Sequence, residues 1–81
     1  MPVFEGKVIE KWSNNPIEGA ILEIGDQKVK SNVYGMFRII VPSGAYEMVI
    51  EREGYEKSVQ ALSLFANTKL TIILKPILRA L

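Results

Sequence analysis

An alternation of period two narrows the fold of this chain more than anything else in it. The run MFRIIV puts Phe37, Ile39 and Val41 on one parity, and Tyr46, Met48 and Ile50 alternate with Glu47, Val49 and Glu51. Leu70, Ile72 and Leu74 repeat the pattern before Pro76. Successive side chains of a β-strand point to opposite faces, so runs of this kind predict short strands with one dry side.

The rest of the chain reads in the same way. A first strand is predicted from Val3 to Trp12, with Phe4, Val8 and Trp12 inward, broken by Ser13-Asn14-Asn15-Pro16. Ala20, Leu22 and Ile24 line a second strand, and Gly25-Asp26 is a hairpin turn leading into a short polar strand that holds Val29 inward. Lys28 and Lys30 suit that strand to a sheet edge. The sixth strand is predicted from Tyr55 to Leu62, with Val59 and Ala61 inward, followed by a loop at Phe65-Ala66-Asn67. Seven short strands with turns roughly every 8–12 residues predict an all-β fold, a seven-stranded antiparallel Greek-key β-sandwich. The expected domain is 1–76, followed by an apolar C-terminal tail, 77–81.

Composition removes many functions. The 81 residues include no Cys and no His, which excludes disulfides, thiolate or imidazole metal ligands, and the usual nucleophile–base pairs. No catalytic residue, cofactor or metal site is expected, and the chain reads as a non-enzyme. Glu51 and Glu53 share a parity and read as a solvated strand face. Net charge is +1, so there is no electrostatic footprint for nucleic acid or an anionic membrane. Nothing approaches the ~18 apolar residues of a membrane span, so no membrane insertion is expected. MPVFEGKV has no basic start followed by an apolar run, hence no signal-peptide pattern; the expectation is an intracellular protein or one module of a larger secreted or membrane protein.

The order of motifs is specific as a set. GKVIEKWSNNPIEGAILEI, SNVYGMFRI, VPSGAYEMVIEREGY and LTIILKP together resemble the carboxypeptidase regulatory-like domain, a transthyretin-like β-sandwich. The matching positions are Gly6, Val8, Pro16, Gly19, Ala20, Gly35, Phe37, Pro42, Gly44, Tyr46, Gly54 and Tyr55, over roughly residues 5 to 76. The resemblance implies an accessory or structural module, with any peptidase activity in a neighbouring domain. Transthyretin-like hydrolases of the purine pathway use histidines, which this chain lacks. Where many relatives have Thr-Asp, this chain has Ser31-Asn32, which keeps an Asx turn but loses the charge a calcium ion would favour. Tyr46 and Tyr55 are expected to bury their rings and give their hydroxyls to backbone partners. Some related adhesin sandwiches form a Lys–Asn amide beside a buried Glu; here Lys7, Lys11 and Glu51 have outward parity, against such a bond with Asn67.

Two sets of residues remain as candidate sites. Ile9, Ile21, Ile40, Val49 and Ile73 have outward parity on strands that should be polar there, and they are a candidate interface with a protein partner, a neighbouring domain or a second copy in a homo-oligomer. Trp12, Tyr34 and Phe65 lie near loops and are candidate ligand aromatics for a carbohydrate or peptide.

Overall fold

A computed structural model describes residues 1–77. The strands are β1 (Val3–Glu10), β2 (Ile21–Ile24), β3 (Gln27–Lys30), β4 (Met36–Ile40), β5 (Gly44–Glu51), β6 (Ser58–Leu64) and β7 (Thr68–Leu74). They form a three-stranded sheet, β4-β1-β7, and a four-stranded sheet, β3-β2-β5-β6. The two sheets enclose one core, as the alternation predicts. β1 and β4, β2 and β3, β2 and β5, and β5 and β6 pair antiparallel, whereas β1 and β7 pair in parallel, with Phe4 beside Thr68 and Glu10 beside Leu74. Parallel neighbours need a crossover connection, and here the whole intervening chain supplies it.

The core follows the predicted parity on most strands. Phe4, Val8, Ala20, Leu22, Ile24, Phe37, Ile39, Val41, Met48, Ile50, Ile72 and Leu74 are buried, while Val29, Tyr46 and Leu70 pack against them half-buried. The rings of Phe4 and Phe37 meet edge to face at 5.2 Å. Gly6 stands opposite Phe37 in the β1–β4 register. A Cβ there would sit 3.0 Å from the Phe37 ring and collide with the Leu70 carbonyl, so the ring covers the position a side chain would take.

Three expectations are corrected. Trp12 is not in the core: β1 ends at Glu10, the chain turns, and Trp12 is 63% exposed with φ 75. Counting every fourth residue from Phe4 keeps parity only while the strand lasts. On β6 the parity is inverted. Val59 and Ala61 are exposed, and the inward set is Ser58, Gln60, Leu62 and Leu64. Pairing with β5 decides this, since Leu62 lies beside Tyr46 and Gln60 beside Met48. β6 also starts and ends later than its predicted span, and Leu64 and Ile17 join the core. The third correction concerns Tyr55, whose hydroxyl meets a side chain rather than the backbone.

Among the described residues, no helix is long and apolar enough to cross a membrane. Of the apolar tail, Ile77 donates its N–H to the Gly54 carbonyl (2.9 Å), and residues 78–81 lie outside the described residues.

Candidate functional site

The connection from β1 to β2 is fastened by hydrogen bonds on two sides. On its inner side, the buried Ser31 hydroxyl donates to the Ile17 carbonyl (2.6 Å) and accepts from the Ala20 N–H (2.9 Å). Gly35 packs beside it, accepting from the Val8 N–H (2.7 Å) at φ 75. A Cβ at Gly35 would stand 2.5 Å from the Val8 carbonyl oxygen, so both the backbone angle and the space require glycine. Asn32 makes the expected Asx turn: its side-chain oxygen accepts from the N–H groups of Tyr34 (2.9 Å) and Met36 (3.0 Å).

On the outer side, the Glu10 carboxylate is the hub. It accepts from the Tyr55 hydroxyl at 2.5 Å and from the Ser13 hydroxyl at 2.7 Å. These bonds, Tyr55's first, hold the Glu10 carboxyl below its ordinary value, and the same bond raises Tyr55, with burial adding to it. At neutral pH Glu10 is therefore ionised and Tyr55 protonated. Both shifts move away from neutrality, the reverse of what a proton-transfer pair needs. Backbone bonds from Glu10 to Asn15, from Asn14 to Glu10 and from Lys11 to Leu74 complete the loop. The loop presents Trp12 to solvent, with the Lys11 ammonium 5.2 Å from the ring centroid.

The candidate aromatics do not converge. Trp12 follows the C-terminal end of β1, and Tyr34 lies in the loop entering β4 at that same end of the sandwich. Phe65 lies in the β6–β7 turn at the opposite end, where β7 begins beside Phe4. The outward aliphatics divide as well. Ile9, Ile40 and Ile73 lie on the outer face of the three-stranded sheet, and Ile21 and Val49 on that of the four-stranded sheet. Ile9 and Ile73 are in register, with Pro16 bridged to Ile9 on the other side. They form an apolar end of that face, next to a row holding the exposed Met36. Ile40 pairs with Val3, six residues and about 20 Å away along β1. Between these ends lie Arg38, Glu5 and Lys69, with Lys69 and Glu5 3.8 Å apart. On the other face Val49 stands beside Val59, a neighbour that the inverted β6 parity concealed from sequence reading.

A depression of about 400 Å³ lies over Gly6, lined by Lys7, Met36, Lys69 and Thr71 among others. Among the described residues, no group of three or more Asp or Glu side chains is placed to hold a metal ion. Asn67, the acceptor in the amide-bond chemistry, instead accepts from the Val3 N–H (2.9 Å), and Glu51 is exposed, 3.9 Å from Lys57.

No family model matches the chain, and no curated protein matches it. Solved structures do. A chain of a type II cohesin–X–dockerin complex from Acetivibrio cellulolyticus, an N-terminal interface mutant, superposes with TM-score 0.80 at 21% identity, over 94% of this chain and 58% of that one. The Bacillus anthracis TIE protein gives TM-score 0.74 at 16% identity, over 94% of this chain and 16% of that one. The 5-hydroxyisourate hydrolase of Klebsiella pneumoniae gives 0.69 at 16% identity, over 94% and 91%. The chain thus spans little more than half of the cohesin–X–dockerin chain it matches. At these identities the likeness is one of fold: a β-sandwich, consistent with the transthyretin-like arrangement.

Proposed function

We propose that the chain is a non-enzymatic accessory β-sandwich of the carboxypeptidase regulatory-like type, and that it mediates contacts with a protein partner or a neighbouring domain. The observation that carries this reading is the apolar end of the three-stranded face. Pro16, Ile9 and Ile73 lie side by side there, with Ile73 54% exposed and Met36 in the next row. An exposed apolar cluster rimmed by charge is the usual mark of a contact surface. Val49 and Val59 form a second, smaller apolar pair on the opposite face, where Ile21 stands beside Glu51, while Ile40 stands apart. The want of His and Cys, and the opposed shifts of Glu10 and Tyr55, support the non-enzymatic part. The likeness in fold to part of a cohesin–X–dockerin complex is in keeping with a role in assembly.

A photo-crosslinking side chain at position 73, used in the native cell, tests this reading. One cross-linked protein is expected from position 73 and none from position 26 in the β2–β3 turn. Equal or absent cross-linking at both overturns it.

A second reading has an observation of its own. Trp12 combines exposure, a left-handed backbone and a hydrogen-bonded loop, and backbone strain of this kind gathers at ligand sites. A sugar ring or peptide side chain would stack on the indole beside Asn14 and Asn15. Trp12 is the chain's one tryptophan, so its fluorescence reports directly on a panel of oligosaccharides and peptides. No change in the emission across the panel removes this alternative.

A further inference from the structure

Each sheet ends in two edge strands, and their sequences differ in a way that matters. β3 carries Lys28 and Lys30 in four residues, β4 carries Arg38, and β7 carries Lys69. β6 reads SVQALSL, seven residues without a charge or a proline. Among the described residues it pairs with β5 alone, which leaves one row of its backbone N–H and C=O groups unpaired. Such a strand is a template for another, and lysine or proline is the ordinary guard against pairing. Three edges are guarded and this one is not.

We propose that β6 pairs antiparallel with β6 of a second copy of this chain, about a two-fold axis at Ala61. That register keeps all seven residues paired and matches inward with inward side chains: Ser58 with Leu64, Gln60 with Leu62. The outward row then sets Val59 against Ser63 and Ala61 against its own counterpart. Self-pairing meets no like charge here. On β3 the same operation about Val29 would set Lys28 against Lys30, which is repulsive. The register also accounts for Phe65, which is 69% exposed just beyond β6. It falls opposite Lys57 of the second copy, whose stem and ammonium suit an aromatic face. The product is one eight-stranded sheet across two molecules, with the apolar neighbours Val49 and Val59 of both on the same outer face. This deepens the contact reading by naming one partner, but it uses a different surface from the Ile9–Ile73 end.

The absence of cysteine makes the test clean. In Ala61→Cys the two thiols would lie directly opposite, within roughly 4.5–5.5 Å between Cβ atoms, close enough for a disulfide after slight adjustment. Under mild oxidation it is expected to form a covalent dimer at least about tenfold faster than Lys28→Cys on the guarded edge. Sedimentation of the unmodified chain is expected to show a monomer–dimer equilibrium. Ala61→Lys sets two lysines together on the axis and is expected to raise the dissociation constant about a hundredfold or more. Phe65→Ala is expected to raise it by roughly tenfold. Equal cross-linking at the two positions, or a wild-type chain that stays monomeric at every concentration, overturns the proposal. Should Ala61→Lys fail to fold, the cysteine pair decides alone. Cross-linking from position 73 to another protein can succeed or fail whatever β6 does, so the two readings fail separately.

Discussion

The β1–β2 connection is held by two clasps, one on each side, and they work by different physics. The inner clasp is neutral and buried: the Ser31 hydroxyl bridges Ile17 and Ala20 while Gly35 fits against Val8. The outer clasp is ionic and at the surface: Glu10 takes bonds from Tyr55 and Ser13. A buried polar group that loses its partner keeps its full desolvation penalty, whereas a surface group turns to water. The inner clasp should therefore set stability, and the outer one should set where the Trp12 loop points.

The harshest break is Gly35→Ala. It adds a Cβ 2.5 Å from a backbone oxygen at a left-handed residue, and a loss of about 3 kcal/mol or more is expected in chemical denaturation. Ser31→Ala comes next. It strands the Ala20 N–H and the Ile17 carbonyl in the core, and about 2 kcal/mol should be lost, equally at acid, neutral and alkaline pH. Tyr55→Phe should cost less than either and should do so only within a pH window. Glu10 is lowered from 4.5, so its contribution is present above that value and is lost as pH falls through the folded value. Tyr55 is raised from 10.0, so its contribution is present below that value and is lost as pH rises through the folded one. The difference in melting temperature between wild type and Tyr55→Phe should thus be flat between these limits and shrink beyond both. A Tyr55→Phe effect as large as that of Ser31→Ala, or one flat from pH 2 to 12, would abolish the distinction drawn between the clasps. Smallest of all is Lys28→Ala, which removes an exposed pair with Glu23 at 3.5 Å and should leave stability within about 0.5 kcal/mol.

How far the fold was legible follows from how burial writes itself into sequence. On β2, β4, β5 and β7 the inward positions are mostly apolar and at least one charged residue marks the outward parity (Glu23, Arg38, Glu47 and Lys69), so parity could be read locally. β6 deceived because it is an edge strand of the four-stranded sheet. Its inward Ser58 and Gln60 are only half covered, and its outward Val59 and Ala61 are the more apolar pair. The aliphatics of the contact surface were visible as residues, but their grouping was not. Ile9 and Ile73 become neighbours only through the β1–β7 pairing, sixty-four residues apart in register. The Glu10–Tyr55 bond spans forty-five residues and left no local signal. Asn32 was readable because an Asx turn closes within four residues.

The parallel alignment of β1 and β7 gives the sandwich a mechanical axis. Val3 lies at one end of that pair and Leu74 at the other. Tension applied at those two residues pulls the strands past each other, so the ladder between them must rupture in shear, all rungs together. A hairpin of first and last strands would peel open one rung at a time under the same load. Tethered through both strands, this domain would carry force along its long direction as a lap joint does.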